Sequence, residues 1–268
     1  MVVKPDPLQH SHAPEYVAEF LGTACMVFFG LSAVVFDFGH GLPMERWLPD
    51  PSLRRLITGL LFAGTGSLVA ISPLGRLSGA HINPSVSLAF WLSGKMGLVD
   101  LIGYVVAQML GGVAGAAALV GVWKQYAASI NNGMTLPGTG WEIWQVFLSE
   151  VFITALLVLL IFIFVSNRSL MRWTPLMCWI VVATMVWLEA PISGTSLNPA
   201  RSLGPALVSG VWTGQWIYAI APPLGGVLGF LVFRFASREN CEILTGKLFF
   251  VPHYRTLFKC TAGTLSSK

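Results

Sequence analysis

Two copies of the dipeptide Asn-Pro stand out in a sequence that is otherwise mostly apolar. They are Asn83-Pro84 and Asn198-Pro199, and they begin the short apolar stretches 84–93 and 199–208. Because Asn is a strong helix N-cap and Pro is favoured at the first helical position, each dipeptide predicts the start of a helix. Ten or eleven helical residues extend over only ~16 Å, half of the ~30 Å core of a bilayer. The two stretches are therefore predicted to be half helices.

The chemistry of two such helix starts depends on their meeting near the centre of a membrane. Each helix N-terminus carries about half an elementary positive charge, so two together repel cations, including hydronium. Each Asn oxygen caps its own helix, and the NH₂ group then remains as a hydrogen-bond donor. A water molecule that accepts from both amides cannot also accept a proton from the next water. We therefore expect a pore that passes uncharged solutes and interrupts proton hopping.

Three of the charged residues in apolar stretches are candidates for a role in such a pore, because a charge is expensive to place within a membrane. Arg201 follows the second Asn-Pro pair. We interpret it as a pore residue that offers planar donors to a passing oxygen, and the alternative is a surface anchor. Glu19 and Glu150 lie inside long apolar stretches. No proton transfer to a substrate is needed in such a pore, so a structural role suits both carboxylates better.

The sequence contains no constellation that is typical of an enzyme. There is no plausible Ser/His/Asp set, phosphate-binding loop or metal-ligand cluster, and the four cysteines show no paired framework. His10 and His12 are interpreted as part of a polar N-terminal tail. The net charge of +4 includes no basic block, so no nucleic-acid partner is expected. We predict no enzymatic activity, no cofactor and no metal.

The composition places most of the chain in a lipid bilayer. The sequence is 54% hydrophobic and 10% charged, whereas a soluble domain has about 25% charged residues. Six stretches reach the ~20 apolar residues that a transmembrane helix needs. They lie at roughly 15–37, 54–73, 98–122, 144–166, 173–192 and 214–235. The predicted fold class is an all-α membrane protein with six transmembrane helices and two re-entrant half helices.

The chain also contains an internal repeat. Residues 78–85 match 193–200 at an offset of 115, and residues 110–115 match 224–229 at an offset of 114. Each half therefore contains two long spans, a half span and a third long span. Because three is an odd number of crossings, the second half begins on the opposite face and the two repeats are inverted. Such repeats place their working site at the midplane, where broken helices meet.

Lysines and arginines predict the orientation, because cytoplasmic loops carry an excess of them. Most of them are cytoplasmic if the N-terminus is cytoplasmic. Both tails, 1–13 and 236–268, then lie in the cytoplasm. The second tail mixes apolar runs such as 248–251 with basic residues, a pattern that suits a membrane surface. The expected location is the plasma membrane or a bacterial inner membrane.

With these motifs, residues 14–235 resemble the aquaporin, or major intrinsic protein, family. The repeats then cover about 14–123 and 144–235. The resemblance rests on the two Asn-Pro motifs and on Arg201, which follows Asn198-Pro199-Ala200 directly. The first motif departs from the usual Asn-Pro-Ala, since Ser85 replaces the alanine and adds a hydroxyl.

The resemblance implies roles for several residues and an assembly. It implies a tetramer of six-helix bundles, each with its own pore. His81 is similar to a family histidine that lines the cytoplasmic part of the pore. Glu19 and Glu150 occupy places where the family's glutamates accept hydrogen bonds from the re-entrant loops.

The family's narrowest point is formed by four residues, and their types suggest the solute. Carried over by spacing, these residues are Ala63, Val186, Thr195 and Arg201. Small apolar residues at the first two positions imply an opening wide enough for glycerol, urea, boric acid or arsenous acid. Other positions, including Ser202, resemble water channels, and the mixture is most similar to plant nodulin-type and some bacterial members. A shift of one residue would instead place Phe62 at the opening.

The expected function is passive passage of water or small uncharged solutes, with exclusion of protons and ions. A strict water channel is the first alternative. A secondary transporter coupled to an ion belongs to a different class that also uses inverted repeats and broken helices. Nothing acidic lies next to either Asn-Pro pair to bind a coupling ion. Transport that saturates and follows a proton gradient would favour the transporter.

Overall fold

The computed structural model describes residues 12–237 and 242–251, and every regular element among them is helical. The α-helices are α1 Ala13–Phe38, α2 Met44–Trp47, α3 Pro51–Ile71, α4 Pro73–Ser78, α5 Pro84–Leu92, α6 Leu98–Trp123, α7 Gln125–Ala128, α8 Ile143–Val165, α9 Thr174–Ser193, α10 Pro199–Ser209 and α11 Gln215–Ala236. Two 3-10 helices, Asn131–Gly133 and Met171–Trp173, complete the order. His10 lies outside the described residues.

Six of these helices are long and apolar enough to cross a membrane, which confirms the predicted fold class. They are α1, α3, α6, α8, α9 and α11. Their bounds lie within a few residues of the predicted spans. The second span begins earlier than expected, at Pro51, because Asp50 caps it by accepting a hydrogen bond from the Ser52 N–H at 2.8 Å. The first span begins at Ala13. His12, which was expected to belong to a polar tail, has its Nδ1 atom 2.6 Å from the Asp100 carboxylate.

The two half helices are present where the Asn-Pro pairs predict them. Helix α5 has 9 residues and α10 has 11, about half of what a bilayer crossing requires. Helix α10 ends at Gly210, whose φ of 71° lies in the left-handed region that glycine adopts easily. Each short helix therefore starts at an asparagine and stops before it can cross.

The six long helices and two half helices pack in a pattern that follows the repeat. Helix α1 packs on α6, α8 packs on α11, and α3 packs on α9 across the two repeats. The half helix α5 packs on α11, and α10 packs on α6. Each half helix therefore lies against the last span of the other repeat, which brings the two halves into a single bundle.

Glycines on α6 and α11 allow this close approach of the half helices. A Cβ atom at Gly112 would lie 2.2 Å from the carbonyl oxygen of Ala200 on α10. A Cβ atom at Gly226 would lie 2.8 Å from the carbonyl oxygen of Ser85 on α5. Real Cβ atoms do not approach backbone this closely, so both positions depend on the absence of a side chain.

The segment 242–251 follows α11 and folds back onto the bundle. Leu248 is only 8% exposed and belongs to a hydrophobic core cluster that includes Phe162 and Phe233. The expectation that the run 248–251 lies along the membrane surface is therefore wrong for Leu248. Its side chain finds apolar neighbours inside the bundle, which the sequence pattern could not distinguish from lipid.

Candidate pore

Each Asn-Pro pair caps its own half helix through the asparagine side chain. The Oδ1 atom of Asn83 accepts a hydrogen bond from the Ser85 N–H at 2.9 Å, and Oδ1 of Asn198 accepts one from the Ala200 N–H at 3.0 Å. These are N-cap bonds to the second helical residue, and Pro at the first position has no N–H to satisfy. The two helices therefore begin with the same local chemistry.

The two asparagine amides also bond reciprocally between the repeats. The Nδ2 group of Asn83 donates to the carbonyl oxygen of Leu197 at 2.9 Å, and Nδ2 of Asn198 donates to the carbonyl oxygen of Ile82 at 2.8 Å. The N-terminal ends of α5 and α10 are thus adjacent. An amide NH₂ has two donors, so each asparagine uses one on the opposite repeat and has one more to offer. From the sequence we expected both amide groups to donate to water in the pore, and the bond between the repeats was not expected.

The backbone before each half helix adopts left-handed conformations at residues other than glycine. The φ angles are 54° at Ala80 and 41° at Ile82, and 50° at Thr195 and 58° at Leu197. Positive φ is unusual for alanine and rarer for a β-branched residue, and such strain persists where surrounding structure enforces it. The same alternation in both loops indicates that the repeat preserves this strained path.

Buried glutamates hold the two strained loops. Glu19 accepts hydrogen bonds from the backbone N–H groups of His81 and Ile82 at 3.0 and 2.6 Å. Glu150 accepts them from Ser196 and Leu197 at 2.6 and 2.9 Å. Both carboxylates are completely buried. They supply the acceptors that buried backbone donors in an irregular segment would otherwise lack.

Gln108 adds to the first of these two sites and was not identified from the sequence. Its Nε2 group donates to Glu19 at 2.7 Å and to the Ser87 hydroxyl at 3.0 Å. Gln108 is fully buried in α6, one turn before the Gly-rich stretch. A buried polar residue in a transmembrane span is a signal that could have identified it.

Two neighbouring cavities share part of their lining, and the Asn-Pro junction belongs to the inner one. The inner cavity is lined by both asparagines and by His81. The outer cavity is lined by residues that include Val186 and Thr195. The residues that line both cavities are Phe62, Val182, Ser196, Leu197 and Arg201. The border between the cavities is therefore the position of the constriction.

Arg201 supplies the charge at this constriction. Its Nη1 group donates to the carbonyl oxygen of Gly133 at 2.9 Å, which ties it to the loop between the repeats. The guanidinium carbon lies 5.5 Å from the centre of the Phe62 ring. The side chain is 5% exposed. The charge is held in place at the border of both cavities, not at the outer surface.

The structure corrects the expectation that Ala63 faces Arg201. Ala63 lines only the inner cavity, and Phe62 is the residue beside the guanidinium. The spacing from Asn83 spans a connection that contains the short helix α4, so the path of that connection decides which residue of α3 faces Arg201. One residue of helix turns a side chain by about 100°. The residue beside Arg201 is therefore Phe62, the one-residue alternative.

Val186 and Thr195 line the outer cavity, but neither reaches the border of the two cavities. Val182 lines both, and it lies four residues before Val186 on the same face of α9. That spacing could have identified it. The Thr195 hydroxyl donates to the carboxylate of Glu189 at 2.6 Å. Glu189 is another buried carboxylate near a span end, and sequence reasoning passed over it.

His81 lies at the inner end of the lining. Its Nε2 atom is 2.8 Å from the carbonyl oxygen of Gly246, which can only accept, so Nε2 carries the proton. Its Nδ1 atom is 3.1 Å from the Ser87 hydroxyl, and the ring stacks on Phe90 with 4.6 Å between centroids. The ring is therefore held in one orientation, with one edge toward the cavity lining.

Ser85, the departure in the first motif, lines neither of these two cavities. It is fully buried, and its backbone faces Gly226 on α11. The additional hydroxyl therefore leaves the asparagine geometry unchanged, since both caps have nearly equal lengths.

Comparison with known proteins agrees with this geometry. The family model described as Major intrinsic protein matches residues 8–233. The chain is 33% identical over 233 residues to Aquaporin A of Dictyostelium discoideum, covering 85% of this chain and 80% of that protein. It is 36% identical over 237 residues to the lens fiber major intrinsic protein of Lithobates pipiens, covering 86% and 84%.

Among solved structures, the aquaglyceroporin from Plasmodium falciparum has the same fold. Its TM-score is 0.68 at 22% sequence identity, and the match covers 83% of this chain and 96% of that chain. Six helices of this chain are able to span a membrane, and two half helices meet at asparagines that line the inner cavity. The chain belongs to the major intrinsic protein family, whose members are membrane channels for water or small solutes and not enzymes.

Proposed function

We propose that this chain is a passive channel for water and small uncharged solutes that excludes protons and other cations. The observation that carries the proposal is the reciprocal pair of bonds between Asn83 and Leu197 and between Asn198 and Ile82. These bonds bring two positive helix ends and two amide donors together at one point of the inner cavity's lining. Such a point favours a water oxygen or a hydroxyl and disfavours a cation.

The residues of the constriction support a narrow opening with one polar side. Phe62 covers one side, Val182 contributes no polar atom, and Arg201 provides the donors. The small side chains of Val182 and Val186 leave room for neutral solutes larger than water, such as glycerol, urea, boric acid or arsenous acid. Phe62 in place of Ala63 favours the second candidate, a strict water channel.

Purified protein in vesicles tests the channel and separates these two candidates. An osmotic step with an impermeant solute reports water flux, and steps with glycerol, urea and boric acid report solute flux. We expect water flux above that of protein-free vesicles, with glycerol or boric acid flux above background. Water flux alone would select the strict water channel. Uptake that saturates and follows a proton gradient would contradict the channel and support a carrier.

Exclusion of cations is tested by Asn198→Asp, which removes the amide donor to Ile82 and adds a negative charge at the junction. We expect a proton leak that a pH-sensitive dye inside the vesicles detects. Asn167→Asp is the matched control, because Asn167 is exposed in a surface turn and caps it with Oδ1, which aspartate also provides. A proton-tight Asn198→Asp variant that still conducts neutral solute would contradict this account of the barrier.

We further propose that residues 14–235 form the channel unit, that both termini are cytoplasmic, and that four copies assemble in the plasma or bacterial inner membrane. Large apolar side chains such as Phe29, Val106 and Phe152 are exposed along the spans, where lipid or neighbouring copies would cover them. Protease added outside sealed, right-side-out vesicles should spare the chain after Ser237. External cleavage there would overturn the orientation, and the mass of the detergent-solubilised complex tests the tetramer.

A further inference from the structure

The segment 242–251 lies across the face of the bundle at which α1 begins and α11 ends. Two backbone hydrogen bonds attach it: Leu244 N–H donates to the Val165 carbonyl at 3.1 Å, and Leu248 N–H donates to the Gly79 carbonyl at 3.0 Å. Residues 243–248 are all buried. These residues form no helix, and they are nevertheless as buried as residues in the core of the bundle.

Lys247 anchors the middle of this segment. Its Nζ group donates to the carbonyl oxygens of Arg76 and Leu77 at 2.6 and 3.1 Å, at the end of α4. The residue is 1% exposed. Burial of an ammonium group is unfavourable unless donors find acceptors, and the last carbonyls of a helix are favoured partners of a cation. The lysine is thus matched to a receptor site on the channel itself.

The neighbours of Lys247 on either side contact the pore. The carbonyl oxygen of Gly246 accepts the hydrogen bond from Nε2 of His81. The side chain of Leu248 lines the inner cavity together with His81 and both asparagines. The segment therefore occupies the pore end that lies opposite the Arg201 constriction.

We propose that residues 242–251 are an autoinhibitory plug that closes the inner end of the pore. Leu248 fills the mouth of the inner cavity, Gly246 engages the pore residue His81, and Lys247 holds the segment in its receptor site. This inference rests on the proposed channel function. Release of Lys247 from the carbonyls of Arg76 and Leu77 opens the pore, because these two bonds attach the segment to the end of α4.

Flux through vesicles that contain equal amounts of protein tests the plug. Lys247→Met keeps an unbranched chain and removes the donors, which should shift the ratio of closed to open channels by about tenfold or more. Leu248→Ala should raise water flux by shortening the side chain in the cavity. A chain that ends at Ser237 should conduct most.

Leu244→Ala is the matched control for Leu248→Ala. It removes the same atoms from a residue of the same segment that is equally buried, at 8%, but that lines neither the inner nor the outer cavity. We expect its flux to stay near that of the unmodified chain. Amide hydrogen exchange provides a second measurement, because Lys247→Met should increase exchange at the Leu244 and Leu248 N–H groups.

The possible outcomes separate this inference from the channel function. If the unmodified chain, Lys247→Met and the shortened chain conduct equally, the segment is not a plug. If Lys247→Met exposes the two amides to exchange and flux does not rise, the plug is likewise contradicted. If no variant, including the shortened chain, conducts above protein-free vesicles, the proposed channel function itself fails.

Discussion

The two re-entrant loops hold their backbones in the same way and present different side chains to the pore. In the first loop the Tyr104 hydroxyl donates to the Ser78 carbonyl at 2.7 Å, and in the second the Tyr218 hydroxyl donates to the Ser193 carbonyl at 2.7 Å. Glu19 and Glu150 add equivalent bonds to the next turn of each loop. These backbone donors and acceptors have equivalent partners in both loops, so the repeat is preserved at the level of backbone chemistry.

The side chains differ where the two loops meet the pore. At the repeat offset of 115, Val86 corresponds to Arg201 and His81 corresponds to Ser196. Arg201 lies at the constriction between the cavities, whereas Val86 lines the inner cavity, into which Leu248 also projects. The comparison shows that two loops with the same backbone bonds line an asymmetric pore. The charge of Arg201 lies at the border with the outer cavity, and apolar side chains lie in the inner cavity.

The largest expected effect is a loss of stability when the close contact between α6 and the half helix α10 is removed. Gly112→Ala places a Cβ atom against the Ala200 carbonyl, a rigid backbone obstacle, and should lower the free energy of unfolding by about 3 kcal/mol. Gly226→Ala should lower it by less, because its Cβ would lie 2.8 Å rather than 2.2 Å from the opposing carbonyl. Thermal unfolding in detergent measures both.

The control for these glycine variants lies on the same helix. Gly121 has no atom within 4 Å of an added Cβ, so Gly121→Ala should raise the stability by about 0.5–1 kcal/mol. Equal stability of Gly112→Ala and Gly121→Ala would show that the half helix does not depend on close contact with α6.

The next effect tests whether the two glutamates are equivalent. Glu150→Gln leaves one carbonyl oxygen for two backbone donors, so one N–H of the second loop loses its partner, which costs about 1–3 kcal/mol. Glu19→Gln should cost more, because the Gln108 amide also loses its carboxylate. Unfolding in denaturant measures both variants. A smaller loss for Glu19→Gln than for Glu150→Gln would contradict the role assigned to Gln108.

Arg201→Val gives the second re-entrant loop the residue type that the first has at the equivalent position, Val86. Loss of the guanidinium should widen the constriction and increase glycerol flux by about tenfold, equivalent to ~1.4 kcal/mol of barrier, while water flux is kept. Arg55→Val removes the same group from a residue that lines only the outer cavity, and it should leave glycerol flux unchanged. Equal effects of the two variants would place the size barrier elsewhere.

The smallest effect sharpens the assignment of the constriction. Phe62→Ala should increase the flux of boric acid or glycerol by about threefold, because the ring beside Arg201 is removed. Ala63→Phe should instead lower all fluxes, since Ala63 lines the inner cavity. Vesicle swelling in the two solutes measures both. If Ala63→Phe blocks glycerol and spares water, Ala63 is the residue that determines which solutes pass.

The arrangement of spans and half helices could largely be predicted, because it depends on residue type and spacing. Span lengths follow from bilayer thickness, and the starts of α5 and α10 follow from the capping of Asn83 and Asn198. The repeat offset indicated that the half helices face each other. Each of these inferences needs only residue type and spacing, so the sequence by itself determined the six spans, the half helices and the inverted repeat.

The tertiary structure alone decided which side chains form the constriction and what covers the inner end of the pore. One residue of helix register separates Phe62 from Ala63, and the path of the connection 72–82 between α3 and Asn83 does not follow from spacing alone. Leu248 and Lys247 lie in a tail whose apolar and basic residues suit a lipid surface as well as a protein cavity. Only the packed bundle supplies the carbonyls of Arg76 and Leu77 that bind Lys247, because these acceptors come from a part of the chain 170 residues away.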